Sequence, residues 1–207
     1  MVDELKLCLV TDRMQTRDRD LIAVVTQCLA AGLPAVQVRE KDLPAAEVAR
    51  LCGALRPITA ERGALLIVND RVDVALAVGA DGVQRTSTSL SIDDMRRVAD
   101  KRVRIGASVH SVAEAVSAAA AGAEWLFFGP VYDTPSKRRY GPPQGLSALE
   151  RVVSVVAVPV IAIGGVTPER VAEVRAAGAH GVAAISAILS ADSPAAVTQR
   201  FLDALTR

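Results

Sequence analysis

The chain has 207 residues, of which 51% are apolar and only 3% are aromatic. Its 24 Lys and Arg residues balance its 23 Asp and Glu residues, and the resulting net charge of +1 excludes a general attraction to nucleic acid or to anionic membranes. A chain of this length is expected to form a single domain over residues 1–207. Its aliphatic composition is typical of a parallel sheet that is covered on both faces.

Cysteine usage and the N-terminal residues together predict a cytoplasmic protein. Cys8, Cys28 and Cys52 are odd in number and lack metal-ligand spacing, so we expect buried free thiols in a reducing compartment. The N-terminal stretch MVDELKLCLV contains acidic residues and lacks the apolar region of a signal peptide. Because no apolar run reaches the roughly 18 residues that a membrane span needs, no membrane partner is expected.

Four Ala-rich segments of the chain end in a glycine that is followed by a short β-branched or aromatic run. These glycines are Gly32, Gly79, Gly122 and Gly178. Glycine is common just past the end of a helix, where the backbone turns left-handed, because it lacks the Cβ atom that makes this conformation costly. Each segment therefore predicts a helix, its terminating glycine and a strand.

Four further β-branched runs alternate with these four segments, which gives eight predicted strands. They begin near Leu5, Pro34, Ala64, Asp81, Val103, Glu124, Pro159 and Gly181. Helical patterns fill the intervals over Asp18–Ala31, Pro44–Arg62, Val72–Val78, Ser91–Asp100, Val112–Ala121, Leu146–Val155, Pro168–Ala177 and Pro194–Leu205. The residues expected as N-caps are Ser91, Ser111, Thr167 and Ser193.

Eight such units predict an α/β fold, namely a single (β/α)8 TIM barrel. A doubly wound open sheet is the alternative, but it would require a glycine fingerprint after the first strand, where LVTDRMQT contains no glycine. Barrel active sites are built from the loops that follow the strands. Polar residues collect at these predicted strand ends, and they comprise Thr11, Asp12, Gln37, Arg39, Lys41, Asn69, Asp70, Ser108, His110 and Ser186.

Two groups of residues at these ends predict a phosphorylated small-molecule substrate. Arg39 and Lys41 alternate along the second strand's end and can point to the same side, although salt bridges to neighbouring helices are the alternative. Gly164 and Gly165 allow close backbone approach to an anion after the seventh strand. The run AAISAIL after the eighth strand repeats this arrangement with Ser186 at a helix start, so a phosphate site is expected between the two.

Three other features at the strand ends suggest chemistry less specifically. His110 could serve as a general acid or base, or it could only bond to the backbone. Asn69 and Asp70 offer oxygens to Mg²⁺, although a single carboxylate is a weak site for a hard cation. The loop DTPSKRRYG after the sixth strand could close over an anion as a lid.

Taken together, these residues resemble the thiamin phosphate synthase family of barrels and its relatives, the thiazole tautomerases. The segments that carry the resemblance are LCLVTDR, VQVREKD, LIVNDRVDVALAVGADGV, IGASVHS, FFGPVYDTPSK, AIGGVTPERV and GVAAISAIL. They cover nearly the whole chain in the order that the family has. The resemblance implies a barrel that binds a phosphorylated thiazole and no nucleic acid.

The resemblance also implies roles for individual residues. In the synthase, which joins a pyrimidine methyl diphosphate to a thiazole phosphate and releases pyrophosphate, substrate contacts match Gln37, Arg39, Lys41, Asn69, Ser108, Thr134, Ser136 and Lys137. The thiazole phosphate site matches Gly165, Ile185 and Ser186, beside Gly164. Asp70 matches one of two aspartates that bind magnesium.

The sequence departs from the synthase pattern after the fourth strand. Where that pattern reads like HLGQED, this chain has QRTSTS, with Ser89 in the place of the second aspartate. A diphosphate leaving group needs charge neutralisation, whereas the tautomerase moves only a proton and needs no metal. The departure and the SVHS context of His110 favour thiazole tautomerase, an isomerase without cofactor in which His110 is the catalytic acid or base.

Two alternatives stay open at the level of sequence. One is thiamin phosphate synthase working with Mg²⁺ at an incomplete metal site, and the other is a non-catalytic barrel that binds thiazole phosphate. A homo-oligomer also stays open, because the outer helices of a barrel can bury an interface without a sequence signature.

Overall fold

The computed structural model describes residues 3–135, 138 and 141–206. Eight parallel strands form a closed barrel in which each strand pairs with its neighbours in sequence and β1 pairs with β8. The strands are β1 Leu7–Val10, β2 Ala35–Val38, β3 Leu65–Asn69, β4 Gly82–Arg85, β5 Arg104–Val109, β6 Trp125–Phe128, β7 Val160–Ile163 and β8 Gly181–Ala184. The predicted (β/α)8 TIM barrel is confirmed.

Helices follow the strands and surround the barrel. They are α1 Leu21–Ala30, α2 Ala45–Glu61, α3 Val72–Ala77, α4 Ile92–Ala99, α5 Val112–Ala120, α6 Gly145–Val155, α7 Val171–Ala176, α8 Ser186–Leu189 and α9 Pro194–Thr206. The helix predicted from Pro168 begins instead with a 3-10 turn, Pro168–Arg170, before α7. Within the residues that the structure describes, no helix has the length and apolarity needed to cross a membrane.

The helix ends follow from the capping residues in the sequence. Ser91 and Ser111 accept hydrogen bonds from the N–H groups of the third residue after them, at 3.0 and 3.2 Å. Thr167 precedes its 3-10 turn without making a side-chain cap bond. The four predicted helix-ending glycines all have positive φ, between 64° and 92°. Glycine tolerates this conformation, so the chain can leave each helix and enter the next strand directly.

The inside of the barrel is filled by side chains that alternate along the strands. This interior set is apolar and comprises Leu5, Cys8, Val10, Ala35, Leu65, Ile67, Trp125, Phe127, Ile161 and Ala183. Trp125 lies against the backbones of Gly82 and Gly106, where an added Cβ would come within 2.7 and 2.0 Å of the indole. The two glycines are therefore needed to make room for the tryptophan.

All three cysteines are buried free thiols, as their spacing predicts. Burial raises the pKa of the Cys52 thiol to about 12, and burial is also the main cause of the raised pKa of Cys28. Cys8 points into the barrel interior, where burial likewise raises its pKa. Thiols held in the protonated form are poor nucleophiles, so these side chains act as small apolar residues of the core.

We predict that Gly106→Ala lowers the free energy of unfolding by about 1–3 kcal/mol, because the new methyl group would overpack the barrel against Trp125. Urea unfolding followed by circular dichroism measures this change. The matched control is Gly53→Ala in α2, where an added Cβ meets nothing within 4 Å. It should be neutral or stabilise the helix by up to about 1 kcal/mol. Equal effects of the two substitutions would contradict the packing described here.

Candidate active site

Side chains from neighbouring strands meet at the carboxyl-terminal mouth of the barrel. Gln37 ends the inward-facing row of β2, and its Nε2 donates to Oδ1 of Asn69 on β3 at 3.0 Å. Gln37 is only 2% exposed, and its Oε1 has no hydrogen-bond partner among the described residues. A buried acceptor without a donor is costly, so this oxygen marks a place where a ligand donor would be stabilising.

The residue after Asn69 has an unusual backbone conformation. Asp70 has a φ of 68°, and the N–H of Arg71 donates to the carbonyl of Asn69 across it at 2.8 Å. This three-residue turn is rare and strained for a residue with a side chain. Such strain is found at sites where it positions a functional group. Here it orients the chain that carries Asn69 and Asp70 at the mouth.

The segment after β2 is held by a buried ion pair that the sequence analysis did not identify. Glu40, whose side chain is 2% exposed, accepts from the backbone N–H of Arg13 at 3.1 Å and from its guanidinium at 3.2 Å. The same guanidinium also bonds to Asp42 and holds the pKa of that carboxyl below its usual range. The end of β2 is therefore joined to the segment after β1. The sequence could have suggested this pairing, because the arginine of TDR and the two carboxylates of REKD follow neighbouring strands.

Because Glu40 and Asp42 bind Arg13, they do not pair with the two predicted cations, Arg39 and Lys41. The N–H of Arg39 donates to the Thr11 hydroxyl at 2.8 Å, and Arg39 is half-buried while Lys41 is exposed. Across the described parts of the chain, neither Arg39 nor Lys41 forms an ion pair; the salt bridges from this segment are made by Glu40 and Asp42. The two cations are thus not neutralised by the helices.

Polar side chains from β4, β5 and β6 form a second connected group. The indole N–H of Trp125 donates to Oε1 of Gln84 at 2.7 Å, and Nε2 of Gln84 donates to the Ser108 hydroxyl at 3.1 Å. Gln84 is fully buried. Ser108 was predicted at the site, whereas Gln84 and Trp125 were not, because nothing in their spacing shows that they meet.

After β4 the chain makes a turn of hydroxyl residues that bond to one another. The Ser89 hydroxyl accepts from the N–H of Thr86 at 2.8 Å and lies 3.0 Å from the Thr86 hydroxyl. The Ser89 N–H donates to the Thr86 carbonyl, which closes the turn. No described residues form a group of three or more acidic, histidine or cysteine side chains able to hold a metal.

The two glycines after β7 pack against the loop that follows β6. They have φ values of 96° and 66°, and a Cβ on Gly164 would lie 2.6 Å from Pro130, while one on Gly165 would lie 2.7 Å from Tyr132. The Thr134 hydroxyl, in this same loop, donates to the Tyr132 carbonyl at 3.0 Å. Glycine is therefore required here for a close backbone approach, in addition to any contact with an anion.

Around these glycines, charged side chains fix the loop. Arg170 donates to the carbonyl of Gly165 at 2.6 Å, and its guanidinium lies 4.3 Å from the centre of the Tyr132 ring. The Tyr132 hydroxyl donates to Glu173, and burial, followed by this bond, raises the tyrosine pKa. Beyond β8, Ile185 precedes Ser186, the first residue of the one-turn helix α8.

Among the described residues, the imidazole ring of His110 bonds only to a backbone carbonyl. Its Nδ1 lies 2.5 Å from the carbonyl of Gly129, so Nδ1 carries the hydrogen. The backbone N–H of His110 donates to the Glu114 carboxylate at 2.7 Å. The bond from Nδ1 fixes the ring and leaves Nε2 without a partner among the described residues, so the predicted acid–base role of His110 stays a prediction. Two further predicted residues, Ser136 and Lys137, lie outside the described residues.

The closed barrel and the polar groups at its mouth define a (β/α)8 barrel whose candidate site lies at the carboxyl ends of the strands. Residues 7–188 match the thiamine monophosphate synthase family (TMP-TENI), and the chain belongs to this family. It is 43% identical to a thiamine-phosphate synthase of Methanoculleus marisnigri over 95% of this chain and 93% of that protein. A thiamine-phosphate synthase of Roseiflexus castenholzii is 43% identical over 94% of this chain and 85% of that protein.

A solved structure supports the same assignment. The thiamine phosphate pyrophosphorylase of Pyrococcus furiosus superposes with a TM-score of 0.91 and 36% identity, covering 99% of this chain and 97% of that one. The prediction of a thiazole tautomerase, and with it the isomerase class, is wrong: these relatives carry the synthase name at 43% identity over nearly the full chain. The prediction gave too much weight to Ser89 after β4 and to the SVHS context of His110.

We predict that Glu40→Gln lowers the free energy of unfolding by about 1–3 kcal/mol, because it removes the charge from a buried acceptor of Arg13. Chemical denaturation measures the effect. Asp42→Asn is the matched control, since it removes the other carboxylate on the same guanidinium but at a side chain that is 64% exposed. That change should cost less than about 1 kcal/mol. A larger loss for the control would show that the buried contact does not hold the segment.

Proposed function

We propose that this chain is a thiamin phosphate synthase, the alternative that its sequence left open. In this transfer the methylene carbon of the pyrimidine forms a bond to the thiazole nitrogen, and its bond to the diphosphate oxygen breaks. The electron pair of that bond leaves with pyrophosphate. The observation that carries the proposal is the buried Gln37 Oε1 without a partner, beside the strained turn at Asp70.

An aminopyrimidine suits the groups that Gln37 and Asn69 present. The Gln37 amide offers an acceptor and donors side by side, which complement the amino group and ring nitrogen of such a heterocycle. Because Gln37 Nε2 already donates to Asn69, the amide plane is held in one orientation before substrate arrives. A preorganised amide of this kind loses little freedom on binding, and it rejects analogues that lack the matching groups.

The diphosphate is assigned to the cations and hydroxyls around the same mouth. Arg39 and Lys41 follow Gln37 on the β2 side, and the Arg13–Glu40 pair fixes the segment that carries them. Ser108 supplies a hydroxyl from β5. The sequence adds Thr134, Ser136 and Lys137 from the loop after β6. Donors directed at the leaving group favour bond cleavage most when they bind it more tightly as its negative charge grows.

The thiazole phosphate is assigned to the ends of β7 and β8, next to the loop after β6. Gly164 and Gly165 follow β7, and Ile185 and Ser186 follow the adjacent strand β8 at the start of α8. The packing of these glycines on Pro130 and Tyr132 keeps their backbone in place. Two phosphorylated substrates would then lie next to each other at the mouth.

Mg²⁺ is proposed as the metal, with Asp70 as the carboxylate that would hold it. Magnesium sites often combine one or two carboxylates with substrate phosphate oxygens and water, and the residues at this mouth fit the one-carboxylate form. Ser89, which occupies the place of a second aspartate, uses its hydroxyl within the turn after β4. When bound, the ion would offset the charge of the diphosphate. Arg39 and Lys41 would bind the diphosphate directly, whereas Asp70 would contact it only through the ion.

We predict that the purified chain releases pyrophosphate from the pyrimidine methyl diphosphate only when thiazole phosphate is also present. Gln37→Leu should lower kcat/KM by about 100-fold, because the aminopyrimidine loses its matched amide. A coupled assay for pyrophosphate measures both the dependence on thiazole phosphate and the change in kcat/KM.

Stability separates this effect from misfolding. Gln37→Leu removes an unmet buried acceptor together with one hydrogen bond to the half-buried Asn69. Because these two effects oppose each other, the free energy of unfolding should change by less than about 1 kcal/mol. Gln199→Leu, on the exposed surface of α9, is the matched control and should leave kcat/KM unchanged. Unaltered turnover in Gln37→Leu would remove the assignment of the pyrimidine site.

We predict that Ser89→Asp lowers the Mg²⁺ concentration needed for half-maximal activity by about 10-fold, because a second carboxylate is added beside the site assigned to Asp70. Titration of MgCl2 in the pyrophosphate assay measures the shift. Ser87→Asp is the control, since Ser87 is exposed in the same turn. An identical shift in both variants would mean that general negative charge, and not a second ligand, is responsible.

A further inference from the structure

A hydrogen-bonded chain of three side chains leads from the barrel interior to the mouth. It begins at Trp125, which is 3% exposed, passes through the fully buried Gln84 and ends at the half-buried Ser108. The two bonds measure 2.7 and 3.1 Å. Three neighbouring strands, β6, β4 and β5, each contribute one member. Only the last residue is near the space where substrate is expected.

The chemistry of the first residue sets the direction of every bond in this chain. An indole N–H can only donate, so the atom of Gln84 that faces it must be the carbonyl oxygen Oε1. The amide nitrogen of Gln84 then faces Ser108 and can only donate to it. The Ser108 oxygen is therefore an acceptor within the chain. Its own hydrogen is left to point toward another acceptor.

Packing prevents this arrangement from relaxing. The indole fits against the backbones of Gly82 and Gly106, which leave no room for a Cβ atom. Because the ring cannot turn away without losing this fit, its N–H stays directed at Gln84. A fully buried amide that is satisfied at both ends also has no cheaper alternative orientation. The direction of the Ser108 hydroxyl is thus decided by residues that do not touch substrate.

We propose that Gln84 and Trp125 are positioning residues that make Ser108 a donor aimed at the diphosphate of the substrate and at the pyrophosphate product. This inference rests on the proposed function, since it takes the anion at Ser108 to be a diphosphate. A donor that is oriented before binding spends no free energy on reorganisation, and a free serine hydroxyl lacks this advantage. Gln84 also stands in the row QRTSTS in which the chain departs from the synthase pattern.

The test is a double-mutant cycle on the binding of inorganic pyrophosphate, measured by titration calorimetry in the buffer used for turnover. Ser108→Ala should weaken binding by about 10-fold, because it removes one bond to a charged group. Gln84→Met, which fills similar space without hydrogen bonding, should weaken binding by several-fold through loss of orientation. In the double variant, Gln84→Met should add less than a twofold loss, since no hydroxyl remains to be oriented.

A second variant separates orientation from packing. In its ionised form, Gln84→Glu keeps an acceptor for the indole but supplies no hydrogen to Ser108, so the serine must donate inward and can no longer donate to the anion. Because burial favours the protonated carboxyl, which can still donate to Ser108, the titration is repeated at rising pH to reach the ionised form. The added negative charge acts in both backgrounds, whereas the loss of orientation acts only when Ser108 is present. The loss from Gln84→Glu should therefore be larger with Ser108 than with Ser108→Ala. This variant also serves if Gln84→Met does not fold.

The outcomes divide clearly. The positioning role is overturned if the Gln84 variants lose the same factor in pyrophosphate affinity with and without the serine hydroxyl. It is also overturned if they lose no affinity. In either case Gln84 is only a packing residue. If the cycle shows coupling but the pyrimidine methyl diphosphate and thiazole phosphate do not react, the oriented hydroxyl stands and the synthase proposal falls. If turnover occurs with additive effects, the synthase proposal stands and the positioning role falls.

Discussion

The strict alternation of side chains along eight parallel strands is the constraint on which the rest of this structure depends. Because the barrel is closed, every second residue of each strand must fit inside it, where side chains fill the space. Aliphatic residues, Cys8 and the two aromatic residues Trp125 and Phe127 fill the interior below the mouth. Where polar residues take the next inward positions, each must find a hydrogen-bond partner or leave one for a ligand.

This constraint divides the polar groups at the mouth into two kinds. Gln84 has hydrogen-bond partners at both ends of its amide, Trp125 and Ser108, so it holds these side chains in fixed orientations. Gln37 is satisfied on one side only, by Asn69, so it contributes an unmet acceptor where substrate is expected. The Arg13–Glu40 pair joins the segment after β1 to the segment after β2. Arg39 and Lys41, on either side of Glu40, form no ion pairs among the described residues. Rigid support and unmet bonding capacity together make a preorganised site.

Much of the fold was predictable because it rests on local signals. Glycine at helix ends, as at Gly32, and serine caps, as at Ser91, act within a few residues and mark each element. Long-range pairs carry no such signal: Arg13 meets Glu40 across 27 positions, and Trp125 meets Gln84 across 41. They become neighbours only when the barrel closes.

The branch of the family could not be derived from one substitution. Ser89 shows that a carboxylate is missing after β4, but the sequence does not show whether Asp70 and the nearby cations suffice without it. Overall similarity to thiamine-phosphate synthases corrected the weight given to that position.

The most direct measurement is the stoichiometry of products from the two proposed substrates. The purified chain, mixed with the pyrimidine methyl diphosphate, thiazole phosphate and MgCl2, would be sampled over time and both products quantified by chromatography with mass spectrometry. A thiamin phosphate synthase forms thiamin phosphate and pyrophosphate in equal molar amounts at every time point. Failure to form thiamin phosphate, by protein whose unfolding curve shows that it is folded, would contradict the assignment.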